Sequence, residues 1–420
     1  MEGYTSKPVV YIGSQELAKI SALLPSNKKR SMIVHSLVSS LGLMNNPKAS
    51  ENARRLQVVS PRKASYKDLA VYHTRDYLNA VLDASNLTTD GEDQETDILV
   101  NAEFGLEDDC PRFAGLAEYV QLVGGATLTA TKALQQNLAD IAICWDGGRH
   151  HARKSHASGF CYVADCILAI LALKRPPVQS ANPTPPNTLS TVRKPRIMYL
   201  DLDLHFSDAV SEAFYSPVSF STPQVLTLSI HHTAPGFFPA SERAALSNPS
   251  SPNFDPFTLS LPLKQGASDK TYECIWPIVE NIRKTFEPDF VVLQCGVDAL
   301  AGDPCATFNW SLGDSPGSMG WCVQKVVNEW PGKKLLLGGG GYNSPNAARA
   351  WAYLTSIAMN KPLDLETEIP DHVGFPLYGP SFTLNVSAGN MNDHNSEEDL
   401  GTLHTRFDNI IEVLQKRLAV

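Results

Sequence analysis

Short apolar runs rich in β-branched and aromatic residues alternate with longer segments of helical periodicity along this chain. Strands that alternate with helices favour a mostly parallel sheet, because each parallel connection needs a crossover that a helix supplies. We therefore expect an α/β fold with a single open, mostly parallel sheet and helices on both faces. The predicted strands are Ile141–Trp145, Arg196–His205, Val225–His232, Phe257–Leu263, Phe290–Gln294 and Lys334–Leu337, and the predicted helices are Ala114–Gln136, Cys161–Leu173, Asp269–Phe286, Gly317–Trp330, Asn346–Met359 and Thr405–Leu418.

Three segments depart from this pattern. Residues 175–195 contain six prolines in a polar context, which predicts an exposed loop inserted between a helix and the next strand. Ser247–Pro256 predicts a second loop, and Gly379–Leu400 has no clear periodicity.

Composition narrows the classes of protein that the chain can belong to. Its 420 residues are 43% hydrophobic and 19% charged, which is typical of a globular protein with a large core. The net charge of −9 disfavours direct binding of bulk DNA. The eight cysteines include no CxxC pair, so neither a zinc ribbon nor a disulfide framework is indicated. No apolar run is long enough to span a bilayer and no signal-peptide pattern is present, so we expect no membrane partner.

The run Asp201-Leu-Asp-Leu-His205 closes one of the apolar stretches and carries two carboxylates and an imidazole at alternate positions. Alternate residues of a strand point to one face, so Asp201, Asp203 and His205 are expected to line a common side. A row of charged groups in a strand interior needs a compensating cation or partner. The run therefore predicts a metal site, and its structural alternative is a polar strand end whose hydrogen bonds are satisfied.

Polar residues also follow three other predicted strands. His150 and His151 come after Ile141–Trp145, Asp298 comes after Phe290–Gln294, and Tyr342 follows a run of four glycines after the last strand. Ligands bind beyond the carboxyl ends of the strands in open parallel sheets, so these loops are expected to meet. Taken singly, the histidine pair is more often structural and Asp298 would be a strand-end cap; their joint placement favours a site.

A histidine with two carboxylates is a plausible ligand set for a catalytic metal. Asp203, His205 and Asp298 would leave one position of a Zn²⁺ ion open for water or substrate, and the same set could accept Fe²⁺. His150 and His151 each need a partner that fixes the tautomer of the ring. Two aspartates, Asp201 and Asp208, are available for that purpose.

With these motifs in their order, the chain resembles the zinc-dependent class I histone deacetylases of the arginase/deacetylase superfamily. Asp208 favours class I, because class II enzymes commonly have Asn there, and within class I the likeness is to the stand-alone subtype eight and its fungal relatives. The segment after Tyr342 lacks an early Arg that complex-forming enzymes use to bind an inositol phosphate, which disfavours an obligate corepressor complex. The matching stretches are Gly147–His151, Ala157–Tyr162, Tyr199–His205, Pro235–Pro239, Gln294–Asp298, Ala301–Pro304 and Gly338–Asn343.

The resemblance implies a catalytic domain over residues 8–420, with the proline-rich loop as an insertion at about 175–195. It also assigns roles by position. The implied zinc ligands are Asp203, His205 and Asp298. The implied catalytic residues are His150, His151 as general base and acid, Tyr342 as donor to the acetyl carbonyl, Asp201 as partner of His150, and Asp208 as partner of His151.

The same resemblance implies how a substrate is bound. Acetyl-lysine is a neutral amide on an aliphatic stem, which suits an aromatic slot. The implied substrate-binding residues are the walls Phe160 and Phe238, the carbonyl of Gly159, the rim carboxylate Asp109, and Cys305 along the tunnel. The family also binds structural potassium, at one site matched by Asp201, Asp203, His205, Ser229 and Ile230 and at a second matched by Phe214 and Phe257.

The expected reaction is hydrolysis of N6-acetyl-lysine in histones or other proteins, repressing transcription, in the nucleus and also in the cytoplasm. Two alternatives remain open. An acetylpolyamine-type amidohydrolase belongs to the same superfamily, and a catalytically impaired scaffold would keep the fold and bind acetyl-lysine. The scaffold hypothesis is supported by one difference from the family pattern. Where the family has His-His-Gly-Asp-Gly, this chain has His205-Phe-Ser-Asp-Ala209. Arg149 also replaces a common aromatic, and Cys305 stands where Leu or Met is usual.

We predict that these departures leave the protein active, because none removes a group that binds metal or substrate directly. Zinc-loaded protein should hydrolyse members of a panel of acyl-lysine peptides, with an altered rate or acyl preference, and Asp203→Ala should not. Near-zero turnover of the whole panel by zinc-loaded protein would contradict the prediction.

Overall fold

The computed structural model describes residues 7–45, 53–83, 101–175, 193–217 and 223–419. Its strands are β1 (Val9–Ile12), β2 (Leu56–Val59), β3 (Ile141–Cys144), β4 (Ile197–Asp201), β5 (Val225–His232), β6 (Thr258–Leu263), β7 (Phe290–Gln294) and β8 (Lys333–Leu337). They form one eight-stranded sheet in the order β2-β1-β3-β8-β7-β4-β5-β6. Every neighbouring pair is parallel, which confirms the predicted α/β fold.

Helices cover both faces of this sheet. They are α1 (Gln15–Ser21), α2 (Arg30–Ser40), α3 (Tyr66–Leu69), α4 (Arg75–Leu82), α5 (Leu116–Gln135), α6 (Asp165–Leu173), α7 (Asp208–Phe214), α8 (Asp269–Phe286), α9 (Met319–Gln324), α10 (Ser344–Ala358) and α11 (Glu397–Leu418). Within the described ranges, no helix combines the length and apolarity needed to cross a membrane.

The core is divided by the sheet into two apolar layers. Successive residues of a strand enter opposite layers, as Met198 and Leu200 enter one layer while Ile197 and Tyr199 enter the other. Helices α2, α8, α9, α10 and α11 complete the first layer, and α1, α4, α5, α6 and α7 complete the second. Burial on both faces explains why the strands read as continuous apolar runs rather than alternating ones.

The predicted strand Arg196–His205 is too long at its carboxyl end. Strand β4 ends at Asp201, so Asp203 and His205 do not extend a strand face as predicted. The Leu202 amide still donates to the Gln294 carbonyl of β7, but the next amides turn to carboxylates: the Asp203 amide donates to Asp201 Oδ1 at 3.0 Å and the Leu204 amide donates to Asp298 Oδ1 at 3.0 Å. Asp201 at the end of β4 and Asp298 after β7 therefore determine the path of the loop that follows β4.

Other differences concern element boundaries. Strands β1 and β2 were not among the predicted strands, since each has four residues and pairs in parallel without a hairpin signal. The final helix begins at Glu397 rather than Thr405, because Ser396 and Asp399 form a capping box at its start. The loop predicted at Ser247–Pro256 is confirmed. Most of the proline-rich segment predicted at 175–195 lies outside the described residues.

Glycines in two helices allow a test of the packing. A Cβ on Gly125 of α5 would lie 1.9 Å from the carbonyl oxygen of Arg62, whereas a Cβ on Gly401 of α11 would meet nothing within 4 Å. Gly125→Ala should lower the free energy of unfolding by about 1–3 kcal/mol, the usual cost of overpacking. Gly401→Ala, the matched control, should raise it by about 0.5–1 kcal/mol through helix propensity. Urea denaturation of both variants measures the difference, and equal effects would contradict the packing described.

Candidate active site

Four adjacent strands in the middle of the sheet place the predicted site residues together. In the order β3-β8-β7-β4, their carboxyl ends lead to the histidine pair, the tyrosine, Asp298, and the Asp203–His205 loop. Parallel direction brings all four loops to one edge, because every strand of such a sheet ends on the same side. The predicted meeting of these loops is observed in the contacts that follow.

The His205 ring nitrogen lies near one oxygen of each of two carboxylates, Asp203 and Asp298. His205 Nδ1 lies 2.9 Å from Asp298 Oδ2 and 3.4 Å from Asp203 Oδ1. The second oxygen of each carboxylate is held by the protein: Asp203 Oδ2 accepts from Gln294 Nε2 and the Gly340 amide, both at 2.8 Å, and Asp298 Oδ1 accepts from the Leu204 amide. One oxygen of each carboxylate is thus left facing the imidazole.

This donor set fits a divalent cation. Asp203 and Asp298 are each 1% exposed, and two buried carboxylates require compensating positive charge. Burial and the charge of Asp203 raise the pKa of Asp298 to about 7. Burial disfavours the charged form of His205, yet its hydrogen bonds with both carboxylates raise the pKa of that ring to about 10. A bound cation would replace this proton with a stronger compensating charge, and one nitrogen with two oxygens is a set that Zn²⁺ accepts.

Glycine is required where the loop after β8 passes this group. A Cβ on Gly340 would lie 2.2 Å from Asp298 Oδ2, and the backbone amide of the same residue donates to Asp203. The glycine run therefore allows close approach of backbone to the carboxylates, rather than cradling a phosphate.

His150 and His151 each pair with the aspartate predicted from the sequence. His150 Nδ1 lies 2.8 Å from Asp201 Oδ2, and His151 Nδ1 lies 2.8 Å from Asp208 Oδ1. The two rings are in contact, with centroids 3.9 Å apart, and His150 Nε2 lies 3.7 Å from Asp203 Oδ1. Each aspartate holds Nδ1 and leaves Nε2 as the ring nitrogen on the side of the site.

The two rings have opposite pKa shifts. Burial lowers the pKa of His150, but the nearby charges of Asp203 and Asp201 outweigh this and raise it to about 9. Burial and the positive charge of His150 lower the pKa of His151 to about 4, despite the bond to Asp208. Near pH 7 the pair therefore combines a charged His150 with a neutral His151.

Aromatic side chains surround the approach to the histidines. Phe238 is 40% exposed and packs edge-on against His151 with ring centroids 4.9 Å apart, and Phe160 packs similarly against Tyr342 at 5.6 Å. Gly159 lies between His151 and Phe238, where a Cβ would come within 2.5 Å and 2.9 Å of the two rings. The exposed Asp109 accepts the Gly159 amide at 2.7 Å, so it braces this rim.

Tyr342 is held in place through hydrogen bonds to the backbone of its loop. Asp303 accepts the amides of Tyr342 and Asn343 at 2.7 Å and 3.2 Å. Burial and the charge of Asp298 raise the pKa of Tyr342 well above its usual value, so the hydroxyl stays protonated and can donate. Cys305 follows Asp303 closely, and its Sγ, the His205 ring nitrogen and an Asp298 oxygen all lie within 4.8 Å of one another.

Three further residues at the site had no predicted role. Gln294 holds Asp203, Asp303 holds the tyrosine loop, and Phe237 stacks on the His205 ring with centroids 5.2 Å apart and an interplanar angle of 9°. Gln294 and Asp303 stand inside stretches that the family resemblance already marks, and Gln294 is a polar residue at the end of a buried strand. A polar residue within a family-matched stretch, or at the end of a buried strand, is thus the feature of the sequence that could have indicated a role for these residues.

The residues that depart from the family pattern keep an ordinary backbone. Ser207 has φ −74° and Ala209 lies in helix α7, so neither replaced glycine needs positive φ. Phe206 is buried and packs on His231 with ring centroids 4.7 Å apart. Arg149 is also buried, where its guanidinium donates to the Asp146 carbonyl at 3.1 Å. The turn thus preserves the position of Asp208.

The residues matched to potassium sites are only partly brought together. Ser229 on β5 is paired in register with Asp201 on β4, and Ile230 follows it in that strand. Phe214 ends α7 and Phe257 immediately precedes β6.

A parallel α/β sheet that ends in a buried nitrogen and oxygen donor set, beside two histidine–aspartate pairs, defines a metal-dependent hydrolase. Residues 24–358 match the family model described as histone deacetylase domain. The chain is 37% identical over 391 residues to histone deacetylase 8 of Xenopus tropicalis, covering 93% of this chain and 94% of that protein. It is 35% identical over 396 residues to histone deacetylase 8 of Danio rerio, covering 94% and 93%.

Identity to histone deacetylase 1 of Homo sapiens is 32% over 390 residues, covering 92% of this chain and 71% of that protein. The chain therefore belongs to the class I histone deacetylase family, and the resemblance found in the sequence is confirmed.

Gln294→Ala should weaken metal binding about 10- to 100-fold, the usual cost of losing a residue that orients a metal ligand. The reason is that Asp203 Oδ2 loses one of the two donors that fix its carboxylate. Competition of Zn²⁺ between the protein and a chromophoric chelator measures the affinity. Gln224→Ala is the matched control, because that glutamine bonds the Lys174 and Pro195 carbonyls before β5 begins, away from the site. Equal affinities for Gln294→Ala and wild type would contradict this role.

Proposed function

We propose that the protein is a zinc-dependent protein-lysine deacetylase that hydrolyses the acetyl amide of N6-acetyl-lysine in histones and other proteins. The observation that carries the proposal is the placement of two histidine–aspartate pairs, His150–Asp201 and His151–Asp208, beside the donor group of Asp203, His205 and Asp298. Amide hydrolysis needs an activated water, a stabilised oxyanion and a proton for the leaving amine. The site contains a residue suited to each requirement.

His151 is suited to be the general base. Its lowered pKa keeps the ring neutral near pH 7, and Asp208 holds the Nδ1 proton so that Nε2 can accept one from water. After proton transfer the same ring can protonate the leaving amine, while Asp208 stabilises its positive charge. His150, held by Asp201, contacts the His151 ring and helps to fix the general base in place.

Tyr342 is suited to stabilise the oxyanion. Its raised pKa keeps the hydroxyl protonated, and Asp303 holds the backbone from which it reaches the site. A fixed donor in a buried site is most effective where charge develops in the transition state. When bound at Asp203, His205 and Asp298, zinc would polarise the acetyl carbonyl and acidify a water molecule.

The aromatic approach is suited to an acetyl-lysine side chain. Phe160 and Phe238 offer apolar faces to a four-carbon stem, and the Gly159 carbonyl is the proposed acceptor for the substrate amide. Asp109 at the rim places a carboxylate where the backbone of a protein substrate would pass, with Cys305 lining the inner part of the tunnel. This rim favours a polypeptide over a free polyamine.

The finer parts of the proposal rest on family membership together with these residues. Zn²⁺ is the proposed catalytic metal, with Fe²⁺ as the competitor that the same ligands accept. Structural potassium is proposed at Asp201, Asp203, His205, Ser229 and Ile230, and near Phe214 and Phe257. We propose one catalytic domain over residues 8–420 that acts on acetylated histone tails in the nucleus and the cytoplasm. The protein would neither bind specific DNA sequences directly nor require a corepressor complex.

Tyr342→Phe should lower kcat for an acetyl-lysine peptide by about 10²–10³-fold, the usual cost of removing one oxyanion donor. Tyr272→Phe is the matched control, because that buried hydroxyl has no hydrogen-bond partner in the part of the chain described and its loss should leave turnover unchanged. Steady-state rates on an acetylated peptide and on an acetylpolyamine measure both variants. Faster hydrolysis of the polyamine would favour a small-molecule amidohydrolase. Turnover by Tyr342→Phe equal to that of the wild type would contradict the role of the hydroxyl, and near-zero turnover of both substrates by the wild type would favour a scaffold.

A further inference from the structure

The thiol of Cys305 belongs to the donor group of the site, although the deacetylase reaction assigns it no chemical role. Its Sγ, the His205 ring nitrogen and an Asp298 oxygen lie within 4.8 Å of one another. Of the cysteines in the described ranges, this is the one that joins two other ligand-type side chains at such distances. The residue is only partly buried, so it borders the tunnel as well as the donor group.

The backbone around Cys305 is held in place. Its amide donates to Asp303 Oδ1 at 3.0 Å, and its carbonyl accepts from Thr307 Oγ1 at 2.8 Å. The Asp303 carboxylate also anchors the Tyr342 loop, because it accepts the amides of Tyr342 and Asn343. The thiol therefore projects from a backbone that is fixed close to His205 and Asp298.

A metal bound by three protein ligands keeps an open position, and thiolate sulfur is among the strongest ligands for Zn²⁺ and other soft cations. We propose that Cys305 is an additional, displaceable ligand of the metal held by Asp203, His205 and Asp298, and that it biases the centre toward thiophilic metals. This proposal rests on the metal site of the proposed function. It adds a ligand that substrate must displace on entering the tunnel.

The site contains a group that could accept the proton lost by the Cys305 thiol. On binding a metal, the Cys305 thiol would release its proton, and the neighbouring Asp303 carboxylate, which accepts the Cys305 amide, would take that proton up. Displacement by an entering carbonyl reverses the exchange. The Leu or Met that is usual at this position has no such proton to exchange, so the behaviour belongs to the cysteine of this chain.

Cobalt provides a spectroscopic test that does not depend on activity. The full-length protein loaded with Co²⁺ should show both visible ligand-field bands and a near-ultraviolet band from thiolate-to-cobalt charge transfer. Cys305→Ser and Cys305→Ala should lose the near-ultraviolet band and keep the visible ones. Cys274→Ser is the matched control and should keep both, because Cys274 is a partly buried thiol that contacts His404 where α8 packs on α11. Acetohydroxamic acid, a small bidentate chelator, should abolish the near-ultraviolet band of the wild type by displacing the thiol.

Metal preference gives a second measurement. Cys305→Ser should lower the affinity for Cd²⁺ relative to Zn²⁺ by about tenfold, because a soft ligand is lost from the site. Visible cobalt bands without a thiolate band in the wild type would overturn the role of Cys305 and leave the deacetylase site intact. Failure of the wild type to bind cobalt, in common with Asp203→Ala, would overturn the metal site and the proposed function with it.

Discussion

The burial of two carboxylates at one edge of the sheet is the constraint on which the site depends. Asp203 and Asp298 lie almost wholly out of water, where an uncompensated charge costs several kcal/mol. Three backbone or amide donors each hold one of their oxygens, and His205 faces the others. Asp203, together with Asp201, also raises the pKa of His150, and the positive charge of His150 helps burial to lower the pKa of His151.

The parallel sheet is what allows this concentration of charge. Strands β3, β8, β7 and β4 are neighbours in space, although β8 and β3 are far apart in sequence. Each contributes one loop, so a site of many polar groups is assembled at the ends of strands that are themselves mainly apolar. The apolar layers on both faces then hold the strand ends rigidly enough for hydrogen-bond geometry to be kept.

The fold class and the chemistry of the site could be predicted from the sequence because both depend on patterns of neighbouring residues. Apolar runs between helical segments indicate the sheet, and polar residues just after those runs indicate the edge where they meet. The path of the loop after Asp201 could not be predicted, because it follows from hydrogen bonds to Asp298, which is distant in sequence. Strands β1 and β2 are four residues long and gain their stability from neighbours, so no local pattern marks them strongly. The roles of Gln294 and Asp303 likewise depend on contacts made only in the folded chain.

One wall of the proposed tunnel is constrained by its backbone as well as by its side chain. Gly159 and Phe160 both adopt positive φ, +54° and +63°, in the two-residue turn between Ser158 and Cys161. Left-handed backbone is particularly unfavourable for β-branched side chains. Substitution at these two positions is therefore restricted. Valine and isoleucine, which would give an aliphatic wall, are disfavoured by the backbone conformation whatever the substrate. In the proposed tunnel, backbone conformation thus limits which side chains can form this wall, and with them the acyl groups that would fit.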